Sequence, residues 1–263
     1  MSPRRAPRPG RTALLAGALG AVALLTAAGP APAASPTLYP DLKTEPITFD
    51  DLELRRGSGP DARVRLAFDN GVENHGEGPI ELRGVLRDGK TDVYQWLSKE
   101  NGHWANRLAG RFVYHPTHEH THFSDFADYE VWDLATFNAW VAGGRATGAP
   151  RKRSKKVSFC LLDFSLAEGF GGTAAERTYL GCNARVQGIS VGWTDLYRRN
   201  LPDQNVNLGR GGLPDGSYVL RSVVDPRNRL WESARGLDPA RESPEANEAL
   251  LEFEIVGGEL AEP

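Results

Sequence analysis

Apolar residues in this chain recur mostly at every second position, and that period points away from helical architectures. Val64, Leu66 and Phe68 alternate with Arg65 and Ala67; Leu251, Phe253 and Ile255 alternate with Glu252 and Glu254. Successive strand side chains project to opposite faces, so both stretches read as half-buried strands. Pro214-Asp215-Gly216 signals a turn leading into a core strand over Tyr218–Val224, and Tyr129–Trp132 reads as a further strand. Asp133-Leu134 starts a short helix that runs through Val141 and stops at Gly143-Gly144. The 29 glycines and 18 prolines suit many connections, and no internal repeat is evident. The expectation is one all-β, sandwich-like domain with long loops and few short helices.

The N-terminus carries Arg4, Arg5, Arg8 and Arg11, an apolar run from Thr12 to Ala28, and Ala31-Pro32-Ala33. That order matches a secretory signal over residues 1–33, leaving a domain over 34–263; an uncleaved membrane anchor is the alternative. The paired arginines also suit a twin-arginine route, but Ala6-Pro7 follow them, and general secretion is favoured. No other segment has the length and apolarity of a membrane span, so no stable membrane association is expected after cleavage. Removing four arginines and no acid takes the formal charge from −3 to −7. A mildly acidic chain argues against general nucleic-acid binding and favours cationic ligands, although solubility explains it equally well. An even cysteine count in an exported chain suggests a Cys160–Cys182 disulfide, with two buried thiols as the alternative.

Four of the six histidines fall between His115 and His122. On a strand, His118, His120 and His122 share one face, and three imidazoles suit copper, zinc, iron or nickel. His115 has the other parity and is the weakest candidate, while Glu119 and Thr121 point away from the ligands. A solvated histidine-rich loop is the plain alternative. His75 and His103 stand alone and read as structural.

His115-Pro116-Thr117-His118-Glu119-His120-Thr121-His122, followed by Phe126-Ala127-Asp128-Tyr129, resembles the copper-binding stretch of the lysyl oxidases. Two further segments, in the same order, resemble that family's cofactor-forming motifs. One is Lys156-Val157-Ser158-Phe159-Cys160; the other runs from Gln187-Gly188-Ile189-Ser190 through Gly192 and Asp195 to Tyr197. Leu38-Tyr39-Pro40-Asp41-Leu42 is similar to the family's domain start, and Gly216-Ser217-Tyr218, Glu242-Ser243 and Asn247 to its end. The resemblance covers the mature chain and is to a bacterial, secreted member. Three departures stand out. Animal members are rich in disulfides, the interval from Lys156 to Tyr197 is longer here through the loop over Glu168–Ala175, and a family histidine after the metal motif is replaced by Asp128.

The resemblance implies copper on His118, His120 and His122, and a lysine tyrosylquinone made from Lys156 and Tyr197. It implies oxidation of primary amines, protein lysine side chains included, to aldehydes by O2, releasing hydrogen peroxide and ammonia. A carboxylate is the expected general base, Asp128 first, then Asp125 or Asp163. Arg151, Lys152, Arg153 and Lys155 would help keep the Lys156 amine neutral through like charge. Two rival readings are a non-catalytic extracellular copper binder and a cupin-like dioxygenase. The latter usually needs another metal histidine far downstream, and none follows His122.

Overall fold

A computed structural model describes residues 35–155, 157–232 and 247–263. The expected signal over 1–33, Lys156 and Glu242-Ser243 lie outside them. In chain order the strands are β1 (Thr37–Leu38), β2 (Leu42–Thr44), β3 (Leu52–Arg56), β4 (Val64–Phe68), β5 (Asn70–Asn74) and β6 (Ile80–Arg87). There follow β7 (Lys90–Lys99), β8 (Trp104–His115), β9 (His120–Phe123), β10 (Ala127–Asp133), β11 (Lys152–Arg153) and β12 (Ser165–Leu166). The last are β13 (Val186–Ile189), β14 (Trp193–Tyr197), β15 (Asn205–Gly209), β16 (Gly216–Val224), β17 (Glu248–Val256) and β18 (Glu259–Ala261). The α-helix among the described residues, α1 (Leu134–Ala142), follows β10 as the glycine stop signal predicts.

Every pairing is antiparallel, and the strands form four sheets. One runs β13-β6-β7-β8-β9 with β1 on β7; the others are β11-β10-β16-β17-β18, β12-β14-β5-β2 and β15-β4-β3. All four contribute to one core, through residues such as Phe123, Tyr129, Val72 and Leu66. Each large apolar side chain fully withdrawn from water contributes about 1.5–3 kcal/mol, which is what holds short sheets together. The expected strands over Val64–Phe68 and Tyr218–Val224 are present, the second extended to Gly216.

The stretch Val157–Cys160, which reads as a strand, is instead a loop with one antiparallel bridge, between Phe159 and Phe123. Phe123 N–H donates to the Phe159 carbonyl at 2.6 Å and Phe159 N–H donates back at 3.0 Å. Phe159 is buried among Phe126, Tyr129 and Tyr197, so this loop is anchored in the core by its own aromatic ring.

Candidate metal centre

The histidines sit on the β8–β9 hairpin. Its register pairs Phe112 with Phe123, Val113 with His122, Tyr114 with Thr121 and His115 with His120. His120 and His122 share a face of β9, as strand parity requires. His118 does not lie on a strand. It occupies the turn over residues 116–119, where its N–H donates to the His115 carbonyl at 3.1 Å and Glu119 adopts a left-handed φ of 57°. The single-strand picture therefore holds for two of the three histidines, and the turn delivers the third.

The same turn returns His115 to the group. Pro116 cannot donate to the ladder and favours a chain break, so parity should not be counted across it. His115 faces His120 across the hairpin, stacks on His122 at 4.9 Å and 27°, and approaches His118 at 4.4 Å between ring centroids. Sequence reasoning ranked it last as a ligand, and it stays outside the trio of His118, His120 and His122, although its ring packs against theirs.

The ligating atoms of His118, His120 and His122 all lie within 4.8 Å of one another, and His122 is fully buried. The Nε2 atoms of His120 and His122 are 3.0 Å apart. Two imidazole nitrogens so placed need a shared proton or a shared cation between their lone pairs. Nitrogens each about 2 Å from one ion stand roughly 3–4 Å apart, so a small contraction converts this cluster into a ligand set. The donor set fits a borderline first-row ion such as copper. Ser158 Oγ lies 3.3 Å from His122 Nδ1, positioned to fix that ring's tautomer.

Tyr197 ends β14 and is 8% exposed. Its ring meets Phe159 edge-on at 4.8 Å, and its hydroxyl donates to the Cys160 carbonyl. Burial holds that hydroxyl well above its ordinary pKa, with the Asp195 carboxylate and Tyr129 adding to the effect. The short segment Ser158–Cys160 thus touches the histidine group at one end and Tyr197 at the other. Chain flanking Lys156 is pinned to β10. Ser154 N–H donates to the Tyr129 carbonyl at 2.8 Å, and Phe126 N–H donates to the Val157 carbonyl at 2.9 Å.

Cross-braces join the three motifs. Gln187, fully buried, donates to the Thr121 carbonyl at 2.8 Å and accepts from Leu161 N–H at 3.2 Å. The Cys160–Cys182 disulfide is formed, and the Cys182 carbonyl accepts from Thr121 N–H at 3.2 Å. Gly188 is required because an added Cβ would lie 2.2 Å from the Ile80 carbonyl oxygen. Gly192, at φ 77°, turns the chain from β13 into β14.

The three carboxylates named from sequence have different surroundings. Asp163 accepts four hydrogen bonds, from Thr178, Tyr179 and the backbone and hydroxyl of Ser190, and is fully buried. Asp125 pairs with Arg229 at 2.9 Å and Arg227 at 3.2 Å. Asp128 pairs through Oδ2 with Arg153 at 2.6 Å, while its buried Oδ1 has no hydrogen-bond partner among the described residues. Burial raises the Asp128 pKa against the lowering pull of Arg153. It lines a recess of about 270 Å³ that Val157 also lines. In the basic run, Arg151 is matched by Asp133 at 2.9 Å and Arg153 by Asp128 and Glu130, leaving less unbalanced positive charge than the sequence implies.

A carboxylate that sequence reasoning missed is Asp203. Its oxygen lies within 4.8 Å of the ligating atoms of His115 and His118. It sits in the turn after β14, and only tertiary folding brings it to the hairpin.

An all-β domain carrying an imidazole cluster cross-braced to a buried tyrosine is the class this geometry defines. The family model described as lysyl oxidase matches residues 99–236, more than half of the chain. The chain belongs to the lysyl oxidase family. It is 30% identical over 150 residues to lysyl oxidase homolog 2B of Danio rerio, covering 57% of this chain and 16% of that protein. It is 32% identical over 127 residues to lysyl oxidase homolog 4 of Mus musculus, and 31% identical over 127 residues to homolog 3 of Homo sapiens. Each of these covers 48% of this chain and 14% of the relative, so the chain spans a small part of the curated relatives it matches. No helix among the described residues is long and apolar enough to cross a membrane.

Proposed function

We propose that this chain is a secreted copper- and quinone-dependent amine oxidase. It converts primary amines, lysine side chains of proteins among them, to aldehydes: RCH2NH2 + O2 + H2O gives RCHO + NH3 + H2O2. The observation that carries the proposal is the Ser158–Cys160 segment, which lies two residues after the motif lysine and links His122 to Tyr197. When bound, copper supplies redox chemistry toward O2 for maturing the tyrosine ring, and the finished quinone supplies a carbonyl and an electron sink for the amine.

In this reading His118, His120 and His122 hold copper through ring nitrogens, and His122 Nδ1–H donates to Ser158 Oγ. Phe159 and the Cys160 carbonyl hold the Tyr197 ring in one orientation and exclude water from it. A buried tyrosine hydroxyl stays protonated, so its proton rests on the bond to the Cys160 carbonyl until maturation. Lys156 supplies the amine nitrogen that joins the ring. Asp128 accepts the substrate's α-proton at Oδ1, and its burial-raised pKa suits a carboxylate base. The bonds from Ser154 and Phe126 bracket Ala127 and Asp128 on β10, which favours a position near the lysine motif. Secretion is supported by the signal-like leader and by a disulfide suited to an oxidising compartment. The acidic chain attracts cationic amines at low salt.

The test is mass analysis of the copper-loaded protein with a quinone stain and a peroxide assay over a panel of amines. The expected result is a Lys156–Tyr197 crosslinked peptide and amine-dependent peroxide. Copper binding with neither would leave the second reading, a non-catalytic copper binder. That reading is favoured by one fact, that the histidine group is complete within a single hairpin.

A further inference from the structure

His118 belongs to two groups of potential ligands. The inner group is His118, His120 and His122; the outer is His115, His118 and Asp203, whose ligating atoms also lie within 4.8 Å of one another. The two differ in access. His122 has no exposed surface, His115, His118 and His120 are partly exposed, and Asp203 is exposed. Buried His115 Nδ1 has no hydrogen-bond partner among the described residues. An orphaned imidazole nitrogen beside a carboxylate is a cost that a bound cation would remove. Asp203 is held in place by its backbone: its φ is 62°, and its carbonyl accepts from Asn205 N–H at 2.8 Å.

We propose that His115, His118 and Asp203 form an outer, transient site that takes up divalent copper and passes it to the inner trio. The proposal rests on the histidine centre described above and adds its route of loading. A hydrated cation reaching this face meets the exposed carboxylate first. Asp203 and His115 replace part of its water shell while His118 engages it. The ion then exchanges Asp203 and His115 for His120 and His122 and keeps His118 throughout. Copper stays divalent; water leaves on uptake, Asp203 and His115 leave on transfer, and any proton on an incoming imidazole goes to solvent. The exchange runs downhill because a third imidazole replaces a carboxylate, and imidazole is the better ligand for copper. Lys155 and Arg65 line the same recess of about 330 Å³ as His115 and Asp203. Their like charge keeps the outer site weak, which suits passage rather than storage.

The test follows uptake of glycine-buffered copper(II) by the metal-free protein. Stopped-flow absorbance gives the rate, metal analysis the stoichiometry, and electron paramagnetic resonance the ligand set. The variants are D203N, H115Q, H120A/H122A and the triple H120A/H122A/D203N. Asparagine tolerates a left-handed backbone, so D203N keeps the turn and decides the matter even if H115Q misfolds. The expected result is loading about tenfold slower in D203N and H115Q, with the final spectrum unchanged. The H120A/H122A protein should retain a weaker copper signal with mixed nitrogen and oxygen ligation, which the added D203N abolishes. Loading of D203N and H115Q at the wild-type rate would overturn the outer site alone. A wild type that takes up no copper would overturn the histidine centre and the route with it.

Discussion

The histidine hairpin and the pocket of Tyr197 are assembled in opposite ways. The first closes within eight residues, from His115 to His122, around one turn. The second places Tyr197 against a carbonyl 37 residues away in sequence, beside the ring of Phe159. Local geometry survives partial loosening of a fold, because few residues must be ordered to bring the ligands together. A pocket made from distant segments exists only while the whole core is packed. Copper binding and cofactor formation should therefore be separable, with the first the more robust.

The sharpest break comes from Y197F. On the proposed reading it removes the hydroxyl that maturation needs, so quinone staining and amine-dependent peroxide should vanish while copper stoichiometry stays at the wild-type value. Loss of copper in Y197F would mean that the two regions are not separable. H122A probes the hairpin instead: it should lower copper affinity by more than the roughly 10–100-fold typical of an outer hydrogen-bond partner, read by competition with a chelator.

F159A attacks the link itself. Truncating this buried ring should cost about 3–5 kcal/mol of stability and sharply reduce crosslink yield; an unchanged melting temperature would show that the loop is not anchored as described. S158A is milder, weakening copper by about tenfold through the orientation of His122, with little change in melting temperature.

The smallest effect concerns Asp128. Burial favours its protonated form, so its folded pKa stands above the ordinary value of 3.8. The stabilisation from that preference is complete below 3.8 and is lost as pH rises through the raised folded value. D128N should flatten this part of the profile of melting temperature against pH; parallel profiles would contradict the burial effect.

Several features are legible in the sequence alone. The period of two in β4 and β17 depends only on the strand's own geometry, and the glycine pair after α1 marks a helix end wherever it lies. The disulfide followed from an even count in a chain with an export-like leader. Three near-continuous motifs carried the family resemblance, and Gly192 has a local backbone reason for being glycine, whereas Gly188 is required by a long-range contact with Ile80. What failed was parity carried through Pro116, since a turn resets the alternation that strand reasoning relies on. The Val157–Cys160 stretch is strand-like in composition yet forms no ladder, because one ring and one bridge anchor it.

By itself, then, the chain's order of residues determined strand character, the helix stop and a dense set of imidazoles, because each is a short-range property of backbone and side-chain chemistry. Tertiary structure alone decided that Asp203 arrives beside the hairpin and that Ser158 and Cys160 connect His122 to Tyr197. Those contacts depend on how separate segments pack around a shared core, and no local pattern encodes the distance between two segments before that core has formed.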